Sequence, residues 1–289
     1  ALGCMRMDSL SVQEAEKLVN VALEQGITLF DHADIYGDGR SEEIFGKVLS
    51  ENKGMRERMR IQTKCGIRKG FYDFSRVYIL SCVEDSLRRL QTDCIDLLLL
   101  HRPDALMEAD EVAETFHQLE RSGKVRQFGV SNFNSFQLEL LQSACREKLL
   151  VNQMQFGLMH AGMVSSGIEA NTLFDGGIQR DTAILDYCRL HGITVQAWSP
   201  LQYGFFEGNF VDNEKFQELN VVLERLAKQF NVTKAAIAIA WILRHPANIQ
   251  VIAGTTNIEH LKELCKAVNI HLNRKEWYEL YRAAGNILP

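Results

Sequence analysis

The stretch SRVYILSCVEDSLRRLQTDCIDLLLLH, residues 75–101, decides the fold class. From Ser75 to Gln91 its apolar residues recur with helical period. From Cys94 to His101 they form a nearly unbroken apolar run interrupted by Asp96. The segment ADEVAETFHQLERSG (109–123) is again helical and ends on Gly123. An apolar strand between amphipathic helices is what a parallel sheet covered on both faces requires.

Working outward, the same alternation repeats. Towards the N-terminus, LGCMRM (2–7) reads as a short strand. SVQEAEKLVNVALEQG (11–26) reads as a helix, capped by Ser9 or by Ser11 with Glu14 closing a capping box, and ended by Gly26. Then come ITLFDHA (27–33) as a buried strand, SEEIFGKVLS (41–50) as a helix and RMRIQTKCG (58–66) as a strand. Towards the C-terminus, VRQFGVSNF (125–133), LLVNQMQF (149–156), ITVQAWSP (193–200) and NIQVIAG (248–254) read as strands. SFQLELLQSAC (135–145), DTAILDYCRLHG (181–192), residues 214–230, 233–246, 257–267 and 274–284 read as helices. Residues 157–180 and 201–213 read as loops. Eight such units in one chain predict an α/β fold of the (β/α)8 TIM-barrel class, as a single domain over residues 1–289. A doubly wound sheet is the rival, but no G-x-G-x-x-G follows the first strand.

Thirty-two Lys plus Arg against thirty-seven Asp plus Glu give a net charge of −5, which argues against a nucleic-acid partner. Seven scattered cysteines without CxxC spacing suggest neither disulfides nor zinc, and His160, His191, His245 and His271 lack ligand-like spacing, so no metal is expected. No apolar run approaches the ~20 residues of a membrane span, and the start, ALGCMRM, has no leader pattern, so a cytoplasmic protein is expected. RERMR (56–60) reads as a solvated turn, His32 as structural, Cys65 as packed, and Asp104 as a cap for its loop.

In a (β/α)8 fold, function belongs at the C-terminal ends of strands. Those ends carry Asp31 with Tyr36 shortly after, Lys64, His101, Ser131 with Asn132, Gln153, Trp198 with Ser199, and Gly254 with Thr255 and Thr256. Read singly, each is a turn former, and Asp31 with Lys64 is a plain ion pair. Read together, a lysine beside a phenol is expected to lower the tyrosine pKa and make Tyr36 a usable acid. Asp31 would orient Lys64, and His101 would bind a substrate oxygen or relay a proton. Such an acid reduces nothing alone, so a nicotinamide cofactor is implied. Asn132 and Gln153 suit its carboxamide, Trp198 suits ring stacking, and GTTNIEHL suits a phosphate at a helix start.

DHADIYG (31–37), QTKCG (62–66), SLRRLQTDCIDLLLLHRPD (86–104), GKVRQFGVSNF (123–133), NQMQF (152–156), AWSPL (197–201) and AGTTNIEHL (253–261) occur in this order. As a set they resemble the aldo-keto reductase superfamily over residues 2–267, and within it an uncharacterised bacterial oxidoreductase branch. The resemblance implies Asp31, Tyr36, Lys64 and His101 as a catalytic tetrad, with Tyr36 the general acid in reduction. It implies Ser131, Asn132 and Gln153 as carboxamide contacts, Trp198 as the stacking aromatic, and Ser199, Pro200 and Leu201 along the pyrophosphate. Gly254, Thr255, Thr256, His260 and Glu263 would face the adenosine end, and Arg6 the nicotinamide ribose. The cofactor implied is NADP(H), with NAD(H) the alternative, because His260 and Gly254 stand where relatives carry Arg and Lys; Lys262 or Arg244 could substitute. The substrate implied is a small carbonyl compound. The alternative is a cofactor-binding redox sensor with little turnover. The family's N-terminal hairpin plug is missing from this sequence.

Overall fold

The computed structural model describes residues 1–172 and 183–287. Eight strands, β1 (Leu2–Gly3), β2 (Leu29–Asp31), β3 (Arg60–Cys65), β4 (Leu97–Leu100), β5 (Phe128–Ser131), β6 (Leu149–Gln155), β7 (Thr194–Trp198) and β8 (Gln250–Val251), follow one another in a single sheet in sequence order. Every registered pair among them is parallel. Eleven described helices accompany them: α1 (Val12–Glu24), α2 (Arg40–Glu51), α3 (Arg76–Leu90), α4 (Ala109–Arg121), α5 (Ser135–Ala144), α6 (Gly162–Ile168), α7 (Ile184–His191), α8 (Gln217–Phe230), α9 (Lys234–Leu243), α10 (Ile258–Cys265) and α11 (Arg274–Ala283). This is the strand and helix order of a (β/α)8 fold. By packing, the chain divides into two compact units: residues 1–153 with 254–258, and residues 154–253 with 259–289.

In the first unit, all four leucines of β4 are buried, as a strand covered on both faces demands. The expected capping box of α1 is present, with Ser11 and Glu14 satisfying each other's backbone N–H groups. Helices α2 and α3 approach closely because position 46 is glycine: a Cβ there would lie 2.1 Å from the Arg89 carbonyl oxygen. Beside that contact Glu42, fully buried, accepts from the Thr63 hydroxyl at 2.6 Å and from Arg89 Nε at 2.7 Å. This pairing locks α2 onto both β3 and α3.

In the second unit, Trp241 of α9 and Trp277 of α11 stack with centroids 4.7 Å apart. Each indole N–H donates to the other's carbonyl at 3.0 Å. Phe156 stacks on Trp241, and the Ser165 and Tyr281 hydroxyls share a 2.7 Å hydrogen bond. Burying an indole requires a partner for its N–H, and the two tryptophans supply one another's.

Several expectations need correction. The loop expected over 157–180 contains α6, whose Met163, Val164 and Ser165 are buried; packing overrides the weak helix propensity of a Gly- and Ser-rich segment. Residues 173–180 of that loop, and the expected helix start at Asp181 and Thr182, lie outside the described residues. The second loop holds an antiparallel hairpin, Gln202–Tyr203 with Gly208–Asn209. Another, Ile67–Arg68 with Phe71–Tyr72, follows β3. The first strand stops at Gly3, and Met7–Ser9 form a 3-10 turn. Arg56 is not merely solvated: it donates to Asp96 at 2.7 Å, to the Cys94 and Met59 carbonyls, and to Thr92. Asp96 also accepts from the Ile61 N–H at 2.8 Å, so the acid that interrupts the apolar run stitches β3 to β4. Asp104 caps its loop as expected, accepting from the Phe74 and Leu106 N–H groups.

The substitution Gly46→Ala tests the α2–α3 approach. In an open helix it would stabilise by up to about 1 kcal/mol. Here it is expected to destabilise by about 1–3 kcal/mol, towards the upper end, because its contact is with backbone. Denaturant unfolding of the two proteins gives the sign.

Candidate active site

The first unit brings the strand ends of β2, β3, β5 and β6 together around Lys64. This lysine is fully buried, and its Nζ donates to Asp31 Oδ1 at 2.7 Å and to the His32 carbonyl at 2.8 Å. The Tyr36 hydroxyl oxygen lies 3.2 Å from the same Nζ. Asp31 Oδ1 also accepts from Gln153 Nε2 at 3.1 Å and, in a short contact, from Gln62 Nε2. Backbone register sets these positions. Asp31 pairs with Gln62 across β2 and β3, and Lys64 sits two residues beyond Gln62 on the same strand face.

Tyr36 is placed by a tight 3-10 turn, Tyr36–Gly39, entered through its N–H to the Ala33 carbonyl at 3.1 Å. Gly37 has φ 58, and a Cβ there would lie 2.6 Å from the Asp8 Cβ, so the turn requires glycine. His101 follows β4, its N–H donating to the Cys65 carbonyl at 2.9 Å, and its ring meets Tyr36 edge-on at 6.0 Å.

Electrostatics assign each group a protonation tendency. Burial disfavours the charged lysine, but Asp31, the Tyr36 phenol and their hydrogen bonds outweigh it, so Lys64 ends above its ordinary value. Burial pushes Tyr36 up; Lys64 pulls the other way without overcoming it. This corrects the expectation of a lowered phenol pKa: with the hydroxyl desolvated and Asp31 close by, one ammonium does not reverse the shift. Tyr36 therefore holds its proton at neutral pH. Burial, Lys64 and Arg102 hold His101 well below the usual imidazole value, so it is neutral there; its Nδ1 is buried without a hydrogen-bond partner. His32 is fully buried against Phe45 and held at about 3 by burial and Lys64, consistent with a structural residue.

The remaining expected positions fall into groups. The Ser131 hydroxyl donates to the Gln153 carbonyl at 2.8 Å, and Asn132, at φ 62, donates to the Ser131 hydroxyl and the His101 carbonyl. These three therefore join the tetrad in one network. Arg6 donates to the Gly254 carbonyl in a very short contact, while Thr255 Oγ1 accepts from the Asn257 N–H at 3.1 Å; Thr256 lies beside it, half-buried. In the second unit, Trp198 stacks on Phe206 at 5.9 Å, and Ser199 has φ 46. Pro200 is buried, its carbonyl so close to Gly157 that a Cβ there would approach to 2.5 Å; Leu201 is half-buried. His260 is exposed, and Glu263 pairs with Lys266 at 2.6 Å. Lys262 pairs with Glu259, and Arg244 donates to the Leu272 carbonyl.

Sequence reasoning missed Gln62, whose signal was its i−2 spacing from Lys64 on one strand. It also missed Asp34, raised by burial to about 6 and set near the Tyr78 hydroxyl and the Cys82 thiol. Both packing partners come from α3, far along the chain.

The chain matches the Aldo/keto reductase family model over residues 1–284. It is 36% identical to the uncharacterised oxidoreductase YcsN of Bacillus subtilis, over 97% of this chain and 92% of that one. It is 37% identical to 6-dehydroglucose reductase of Agrobacterium fabrum, over 92% and 86%. A crystal structure of an aldo-keto reductase from Klebsiella pneumoniae in complex with NADPH superposes with a TM-score of 0.77 at 26% identity, covering all of this chain and 92% of that one. The chain belongs to the aldo/keto reductase family. It has that family's (β/α)8 fold and is an oxidoreductase. Among the described residues, no helix is long and apolar enough to cross a membrane.

Asp31→Asn tests the charge balance. In the wild type, Lys64 gains proton affinity on folding, so its contribution is full below the ordinary lysine value, about 10.4, and is lost as pH rises through the higher folded value. Without the Asp31 charge, burial dominates and the sign reverses. The variant is expected to lose stability as pH falls from about 10.4 through a depressed folded value. Urea unfolding of both proteins across pH 6–11 (about five points) reads the opposite slopes.

Proposed function

We propose that this protein reduces an aldehyde or ketone to an alcohol with NADP(H), Tyr36 acting as the general acid. The observation carrying this reading is the neutral Tyr36 hydroxyl held 3.2 Å from a buried lysine that stays charged at neutral pH. The residues present fit a nicotinamide cofactor: His101 Nδ1 is buried without a partner, and at Gly254 a Cβ would find only Arg6, 4.0 Å away. When bound, that cofactor supplies the hydride.

The chain's own residues handle the proton. The substrate carbonyl oxygen accepts hydrogen bonds from Tyr36 and from neutral His101. As negative charge develops on that oxygen, Tyr36 passes its proton, and the adjacent Lys64 ammonium stabilises the phenolate left behind. Asp31, fixed by Gln62 and Gln153, keeps Lys64 charged and oriented. In the reverse direction the same phenolate is the base. Ser131, Asn132 and Gln153 are proposed for the carboxamide, Arg6 for the nicotinamide ribose, and Gly254, Thr255 and Thr256 for phosphate. From the second unit, the family resemblance adds Trp198 for ring stacking, Ser199, Pro200 and Leu201 for the pyrophosphate, and His260 with Glu263 for adenosine. NADP(H) is favoured because the Klebsiella structures were solved with NADP and NADPH. All seven cysteines are free thiols, which suits the cytoplasm.

Tyr36→Phe is expected to lower kcat for a generic aldehyde by at least about 10²-fold while leaving NADPH affinity within a few-fold. Steady-state kinetics together with fluorescence titration check both halves. Wild-type turnover in the variant would overturn the acid assignment. NADPH binding with no wild-type turnover would favour the sensor reading.

A further inference from the structure

His117 and Glu120 stand three residues apart near the C-terminal end of α4, on one helix face. Glu147 lies in the turn between α5 and β6. One nitrogen or carboxylate oxygen from each residue falls within a set whose members are all within 4.8 Å of one another. His117 Nδ1 already meets Glu147 Oε1 at 3.0 Å. The Glu147 side chain is only 8% exposed, and its second oxygen, Oε2, is buried with no hydrogen-bond partner. A buried carboxylate oxygen normally has a donor, so an unpartnered one beside an imidazole and a second carboxylate points to a cation.

The turn that carries Glu147 is held by Gln142. Gln142 Nε2 donates to the Glu147 carbonyl at 3.1 Å, and Gln142 Oε1 accepts from the Leu149 N–H at 2.8 Å. One side chain thus clamps the backbone on both sides of residue 148. Arg126 and Lys124, on the connection following α4, pair with Asp96 and Glu84.

We propose that His117, Glu120 and Glu147 form a zinc-binding site. One imidazole and two carboxylates are a borderline donor set suited to Zn2+, with at least one position left to solvent. Metal bonds of about 2.0–2.2 Å imply ligand separations near 3.3 Å, a contraction that the exposed Glu120 side chain can make by changing rotamer. The site adjoins the beginning of β6, whose other end carries Gln153. It therefore lies at the opposite strand end from the tetrad, where side chains serve stability rather than chemistry. Bound zinc would tie α4 to the entry of β6 without taking part in catalysis.

The test is titration of the metal-free protein with ZnCl2 by calorimetry, with melting temperature and aldehyde reduction measured alongside. Wild type is expected to bind one zinc per chain and to melt higher when loaded, with kcat unchanged. His117→Ala and Glu147→Gln are each expected to lose that zinc and the rise in melting temperature. His191→Ala, an exposed histidine outside the cluster, should keep both. Should either site variant fail to fold, Glu120→Gln, altering an exposed side chain, is expected to weaken zinc at least tenfold. No stoichiometric binding by the wild type, or equal binding by wild type and the site variants, would overturn the proposal.

Discussion

A lysine ammonium with no exposed surface must be answered by charge, and in this chain Asp31 answers it. The pair is satisfied beyond its own contact. Lys64 also binds the His32 carbonyl and approaches the Tyr36 hydroxyl, while the same Asp31 oxygen gathers the amides of Gln62 and Gln153. Strands β2 and β3, already paired in a ladder, are thereby tied by side chains to β6 as well. Loss of one member would leave a buried charge without a counterpart. The network is thus a structural constraint first and a chemical device second, and the tyrosine is mounted on it.

The charge pair also explains why a lowered phenol pKa was the wrong expectation. A lysine in water beside a tyrosine would favour the phenolate. Here the hydroxyl is itself desolvated and Asp31 stands close behind the ammonium, so the favourable interaction offsets only part of the cost of burial. The arrangement keeps the proton on Tyr36 at neutral pH, as the proposed acid role requires. Neutral His101 suits that setting, since it offers a hydrogen bond without adding a second positive charge.

Much of this was legible in the sequence. The period of residues 75–101 announced a buried strand between helices, and the polar residues at successive strand ends marked the candidate site because a (β/α)8 fold gathers those ends. What stayed hidden was tertiary. Gln62 looks like an ordinary strand residue until the register of β2 against β3 sets it beside Asp31. Arg56 looks solvated until Asp96, forty residues on, reaches it. Helix α6 has almost no propensity of its own and exists because its apolar side is covered. The two short hairpins lack strong turn dipeptides, and each turns through a left-handed glycine, Gly70 at φ 89 and Gly204 at φ 56.

The first unit is not contiguous: residues 254–258 belong to it although a hundred residues of the second unit intervene. The second unit in turn needs α11, since Trp241 finds the acceptor for its indole N–H only at Trp277. A chain emerging from the ribosome therefore meets both requirements late. Residues 254–258 reach the first unit only across the hundred residues of the second, and the Trp241–Trp277 pair spans thirty-six. Contacts of such long sequence separation form late when a chain is made from one end, and until they form the apolar strands they cover stay exposed.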